Sequence, residues 1–301
     1  LQLESGQPEA ARRELRELDH EVGEEPPVEV RRTVGRARLL LARISLQSGL
    51  PHEAARQLDS ARQMLDTAVE MADLAELLRV RGEVHAAQGQ LDPAEEALSE
   101  AAEMVGALGR EGEWARCVIA LARVAADRGD LDHAEGLLAS AQERCRARRD
   151  RQGEAHTLRV GGGVALQRGE LDLADQRFRR AQAIYQRLGG RRVLTCRLGR
   201  ARVAIARGQL AEGRRLLDSS RQERPQGREA LARILGLSLL LAAHEGDWPT
   251  FEQAGEELAS LLTRTGLRLP ELHQMSAQAI RLASAAGEAG RANRVRALLA
   301  D

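Results

Sequence analysis

The sequence predicts an all-α protein, a right-handed α-solenoid in which helix pairs stack into a superhelix. Three observations carry that prediction. The glycines Gly6, Gly49, Gly89, Gly129, Gly169, Gly208, Gly246 and Gly287 recur at intervals of 43, 40, 40, 40, 39, 38 and 41 residues, and a fixed period in this range marks stacked supersecondary units. Around each glycine the same order of small and large apolar residues returns. Aromatic side chains make up only 2% of the 301 residues, so the apolar volume must come from Ala, Leu and Val, which suits closely approaching helices.

Each unit reads as a first helix, a glycine turn and a second helix. On the second helix a small residue stands five places after the glycine (Ala11, Ala54, Ala94, Ala134, Ala174, Gly213 and Ala292), with Phe251 as the exception. Nine places after it stands Leu15, Leu58, Leu98, Leu138, Phe178 or Leu217, and twelve after it Ala61, Ala101, Ala141 or Ala181. Gaps of four and three keep one helical face. On the first helix, Ile44, Val84, Val124, Val164, Val203, Leu241 and Leu282 form an apolar series five places before the glycine. Cys117 and Cys196 share another such position, twelve places before it, and are therefore core residues first. Pro8, Pro51, Pro93 and Pro249 follow the turns, where the missing N–H costs nothing. Asp92, Asp132 and Asp172 are expected to cap the second helices.

The array is read as one solenoid over 1–301 of about seven and a half pairs. Residues 1–22 are a truncated first unit, the acidic stretch GEEPPVEV (23–30) is a connector and mild hinge, and the remaining units fill 31–301. The chain opens inside a motif and without Met, so it is expected to be a fragment of a larger protein.

The pattern G-x-L-x-x-A-x-x-x-L-x-x-A, matched at every place by GDLDHAEGLLASA from Gly129, resembles the second half of a tetratricopeptide repeat. The small residues Ala42, Gly82, Ala122, Gly162 and Ala201, seven places before the glycine, add to the resemblance. The period is longer than that of the common repeat and is similar to the repeats of kinesin light chain, bacterial STAND-type regulators and kinase–repeat fusions. The resemblance implies an α-solenoid whose concave surface is lined from the first helices, at 13, 10 and 6 places before the glycine. Those positions hold Arg36, Arg43, Arg79, Arg116, Arg123, Arg159, Arg202, Arg233 and Arg281.

Composition excludes several function classes. Net charge is zero and every basic residue other than histidine is arginine, so no overall field recruits nucleic acid or an anionic membrane, and lysine chemistry is absent. The longest apolar run, ILGLSLLLAA (234–243), is too short to span a bilayer. Three separated cysteines fit reduced thiols in the cytoplasm. No histidine stands in a metal-binding spacing, VGGGV (160–164) lacks the Lys-Ser/Thr of a phosphate loop, and the basic run RCRARRDR (144–151) lacks interleaved aromatics. No catalytic residue, metal or cofactor is expected.

Two readings of the groove arginines stay open. They pair with glutamates of the next repeat and keep the surface soluble, or they receive carboxylates of a partner. Gly161, Gly162 and Gly163, in a helix interior, cost about 2–3 kcal/mol relative to alanine and mark either a pocket or a bend. The expected function is a non-catalytic protein- or peptide-binding scaffold or regulatory module of a larger bacterial signalling protein. Its partner would be an acidic peptide or protein, or another domain of the parent chain, and self-association through an end repeat is open. The alternative is a ligand- or peptide-sensing repeat domain that controls an attached ATPase, kinase or DNA-binding domain. A scaffold calls for a long open groove, whereas a sensor calls for an enclosed cavity near residues 161–163.

Overall fold

Alternating turn glycines and apolar stripes become seven consecutive helix pairs in the computed structural model, which describes residues 27–65, 71–190, 192–223 and 227–300. The pairs are α1 (Val28–Gln47) with α2 (Pro51–Leu65), α3 (Met71–Ala87) with α4 (Leu91–Ala107), and α5 (Glu111–Arg128) with α6 (Leu131–Ala147). They continue with α7 (Arg151–Gln167) and α8 (Leu171–Arg187), then α9 (Val193–Ala206) and α10 (Leu210–Gln222). The last two pairs are α11 (Arg228–Glu245) with α12 (Trp248–Thr265), and α13 (Pro270–Ala285) with α14 (Ala289–Ala300). No strand occurs among the described residues. The expected truncated unit at 1–22 lies outside them, and α1 begins at Val28, inside the stretch expected as a connector.

The turn glycines from Gly49 to Gly287 all adopt positive φ, between 71° and 93°, the left-handed cap conformation open to a residue without Cβ. A second series closes the outer-to-inner turns: Gly109 and Gly189 have positive φ, and between them, at the same register, stands Arg149 with φ 57°.

The predicted stripe is the packing surface. Ala54, Ala94, Ala134 and Ala174 have no exposed area, nor do Ala61, Ala101, Ala141 and Ala181. The small residue before the turn meets the large one after it. A Cβ on Gly82 would lie 2.6 Å from Leu98 Cγ, and Phe178 is gripped between Gly162 and Gly199, at 2.8 and 2.6 Å from their would-be Cβ atoms. The unit headed by Gly246 inverts the order: Phe251 fills the small position, and Gly255 takes the place of leucine against Val295. That inversion explains the exception at Phe251.

The first helix of every unit touches the first helix of the next, from α1 to α13, whereas among the outer helices only α12 and α14 meet closely. Tight inside and splayed outside, the stack curves. The three cysteines are buried and free.

The capping expectation is corrected. Asp130, Asp150 and Asp247 cap α6, α7 and α12 by accepting from the N–H groups of His133, Gly153 and Thr250. Asp92, Asp132 and Asp172 already lie in helical first turns and instead pair with Arg128, Arg168 and Arg207, the residues just before the next turn glycine. These exposed pairs stitch adjacent units, each worth under about 1 kcal/mol. In the basic run, Arg144 stacks 3.6 Å from the Trp114 ring centre and pairs with Glu111 at 2.6 Å.

Arg149 is exposed and makes no ion pair among the described residues, so its left-handed backbone is uncompensated. Arg149→Gly is expected to stabilise the chain by about 1 kcal/mol, read as a higher midpoint in thermal unfolding.

Candidate functional site

Curvature brings the two ends of the stack together. The Arg228 N–H, at the start of α11, donates to the carbonyl of Ser48 in the α1–α2 turn at 3.0 Å. The Arg268 N–H, in the α12–α13 link, donates to Ala87 at the end of α3 at 2.8 Å. Gly49 permits the first contact, since a Cβ there would lie 2.7 Å from the Glu229 nitrogen. Leu267, 2% exposed, seals the second beside Leu46, Ala86 and Ala87. The concave side is therefore a cavity of about 150 Å³, open at its mouth and walled mainly by the inner helices.

The walls are apolar at Val160, Val164, Leu198, Leu237 and Met275 and charged at Glu83, Arg123, Asp127, Arg159, Arg202, Glu229, Arg233 and Glu271. Most of these charges pair. Arg233 holds Glu229 at 2.7 Å and Glu271 at 2.6 Å. Burial opposes the charge on Arg233, and Glu229 and Glu271 outweigh it, so its pKa stands above the ordinary arginine value. The same contacts keep both carboxylates below the usual range despite burial. Arg202 lies 3.9 Å from Glu271 and donates to Gln274 at 3.2 Å, which fastens α13 to α9.

Asp127 is the opposite case. Burial raises its pKa and Glu271 raises it further, while Arg123 and Arg233 only partly compensate, leaving it at about 6. His156, beside Arg159, Arg192, Arg123 and Arg79, is pushed well below the usual histidine range, chiefly by burial, and is neutral.

Of the nine predicted groove arginines, Arg123, Arg159, Arg202 and Arg233 line this cavity. Arg79 is buried behind it, clamped by Glu76 at 2.7 Å and Glu83 at 2.6 Å. Arg43 joins Glu76 at 3.4 Å, Arg36 pairs with Asp73 at 2.9 Å, and Arg116 stands 3.9 Å from Glu113. Arg281 is exposed and does not line the cavity. Arg36, Arg43, Arg79, Arg116, Arg202 and Arg233 thus each have a carboxylate of this chain within 4.0 Å, on their own helix or on another.

The glycine triplet also divides. Gly161 makes room for Arg177, which donates to the Gly161 carbonyl at 2.9 Å and pairs with Glu135. Gly162 receives Phe178, and Gly163 has nothing within 4 Å of its would-be Cβ and opens onto the cavity. Helix α7 runs unbroken through all three. The sequence reading missed Asp127, Glu229, Glu271 and Leu267. Pro270, a helix start signal, was the available hint that the preceding LRL is a link.

No helix among the described residues is long and apolar enough to cross a membrane, and no group of His, Cys, Asp or Glu is gathered there that could hold a metal. No protein-family model matches the chain, and no curated protein matches it in sequence. Solved structures do resemble it. A Rap protein complexed with competence and sporulation factor aligns over 88% of this chain and 74% of its own, with 15% identity and a TM-score of 0.75. NprR in complex with its cognate peptide NprX aligns over 95% and 82%, with 11% identity and a TM-score of 0.66. The Rap conjugation gene regulator of plasmid pLS20, in complex with the Phr* peptide, aligns over 89% and 79%, with 17% identity and a TM-score of 0.61. At these identities the likeness is one of fold: a tetratricopeptide-like helical solenoid.

Two predictions test the closure and its charges. Gly49→Ala and Gly169→Ala both place a Cβ on a left-handed residue, but only Gly49 faces a neighbouring backbone. Gly49→Ala is expected to cost about 1 kcal/mol more than Gly169→Ala, and it alone should enlarge the radius of gyration in small-angle scattering. Asp127 binds its proton more tightly folded than unfolded, so its contribution to stability falls as pH rises from about 3.8 to about 6. Asp127→Asn should melt higher than the parent at pH 7.5, the gap closing as pH falls below 4.

Proposed function

We propose that this chain is a peptide-binding regulatory repeat domain that takes an extended peptide into its central cavity. One observation carries the reading: the superhelix closes on itself around a cavity with apolar and charged walls, the form of a ligand site more than of an open docking groove. The resemblance to Rap and NprR structures solved with peptides supports it. Of the two functions the sequence suggested, a cavity bounded by both ends of the stack favours the sensor over the open-groove scaffold.

The chemistry follows from the walls. An extended peptide exposes backbone N–H and C=O groups that need partners once out of water. Glu83, Thr195, Arg202 and Glu229 offer acceptors and donors, and the apolar walls receive side chains. A peptide touching both α5–α7 and α11–α13 binds the closed ring more tightly than an opened one, so occupancy shifts the population toward closure. In a larger bacterial signalling protein, that shift would reach an attached ATPase, kinase or DNA-binding domain. The domain itself is non-catalytic in this proposal and works in the cytoplasm.

Gly163 supplies the test, because its Cβ space is open and faces the cavity. Gly163→Leu should raise stability by about 1 kcal/mol through helix propensity while filling the site. Retention of peptides from a randomised octapeptide mixture by size-exclusion and mass spectrometry should fall at least tenfold. A variant that gains stability and retains peptides as the parent does would remove the cavity from the function.

A further inference from the structure

Arg123 and Arg159 stand apart from the other cavity arginines. Arg202 and Arg233 have carboxylates within 4.0 Å, whereas neither Arg123 nor Arg159 has one among the described residues. Asp127 and Glu229 act on them only from longer range. Arg192, at the N-cap of α9, likewise has no ion pair among the described residues and adds its field to that of Arg159. The ring of His156, in the same cluster, is neutral and offers no counter-charge.

The Arg159 Nε is buried at this wall without a hydrogen-bond partner. The Tyr185 hydroxyl, buried behind the wall in the core, interacts with the Arg159 guanidinium but brings it no negative charge. A guanidinium withdrawn from water without an anion is costly. Elsewhere the chain supplies that anion with its own carboxylates, as at Arg79 and Arg233. Here it does not, and the adjoining Gly163 leaves the wall bare.

We propose that Arg123 and Arg159, backed by Arg192 and the Tyr185 hydroxyl, form a carboxylate-binding subsite on the α5–α7–α9 wall of the cavity. It receives an anionic carboxylate of the bound peptide, at its C-terminus or on an acidic side chain. Planar guanidinium groups suit that ion because they donate two parallel N–H bonds to it. The subsite rests on the peptide-binding reading above and adds polarity to it: the anionic group sets the direction in which the peptide lies.

The test uses four pools of randomised octapeptides, made with or without Asp and Glu and ending in a carboxylate or a carboxamide. The protein should retain the pool carrying both kinds of carboxylate at least tenfold better than the neutral one. The two pools with a single source of carboxylate then identify which source is bound. Arg159→Gln and Arg123→Gln should each erase the preference with the helical circular dichroism intact, and Arg281→Gln should leave it unchanged. Equal retention of all four pools, or a preference that survives Arg159→Gln, overturns the subsite and leaves peptide binding standing. Retention of none overturns peptide binding, and titration with inorganic phosphate then decides the anion site alone. Thermal stabilisation of the parent but not of Arg159→Gln upholds it, and equal behaviour ends it.

Discussion

A large side chain pressed against a residue with none is the contact on which the rest depends. Leu98 sits on Gly82, and Phe178 sits between Gly162 and Gly199 at distances no Cβ could share. Contacts of this kind seat outer helices closely on inner ones, and the inner helices touch in succession while most outer helices stay apart. The angle gained per unit is small, but seven pairs accumulate enough to return the chain to its start. The cavity is thus a product of curvature, and curvature is a product of where glycine and alanine fall.

Closure changes what the inner face can do. On an open superhelix, residues at the rim would be hydrated and their ion pairs weak. Inside the ring, Glu271 of α13 answers both Arg233 of α11 and Arg202 of α9, so the polar wall also fastens the C-terminal pair to the units before it. The same enclosure lifts Asp127 and neutralises His156. Groups that would titrate as ordinary surface residues are shifted there, because burial strips part of their hydration.

Much of this was legible before any coordinates, and the reasons differ by feature. The pairs, the turns and the buried stripe follow from spacing, since a helical face is a local property of the chain. Even the inversion at Phe251 is legible once Gly255 is seen to compensate it. The aspartates at 92, 132 and 172 were misread because a cap and a first-turn residue differ by two positions, and only the neighbouring Arg128, Arg168 and Arg207 decide between them. Gly161, Gly162 and Gly163 look alike in sequence, yet one admits Arg177, one admits Phe178 and one faces open space. The pairing of the arginines was only partly legible: Glu76 and Glu83 flank Arg79 on its own helix, whereas Glu271 reaches Arg202 and Arg233 from another unit. Ring closure had no local signal at all: Ser48 and Arg228 touch only because everything between them bends correctly.

That last contact also orders the assembly of the molecule in time. Neighbouring helices can dock after closing loops of a few residues, whereas the bonds from Arg228 to Ser48 and from Arg268 to Ala87 each join positions about 180 residues apart. Ring closure therefore carries a larger chain-entropy cost than docking one pair on the next, and during synthesis Ser48 and Ala87 can meet these partners only after residues 228 and 268 have left the ribosome.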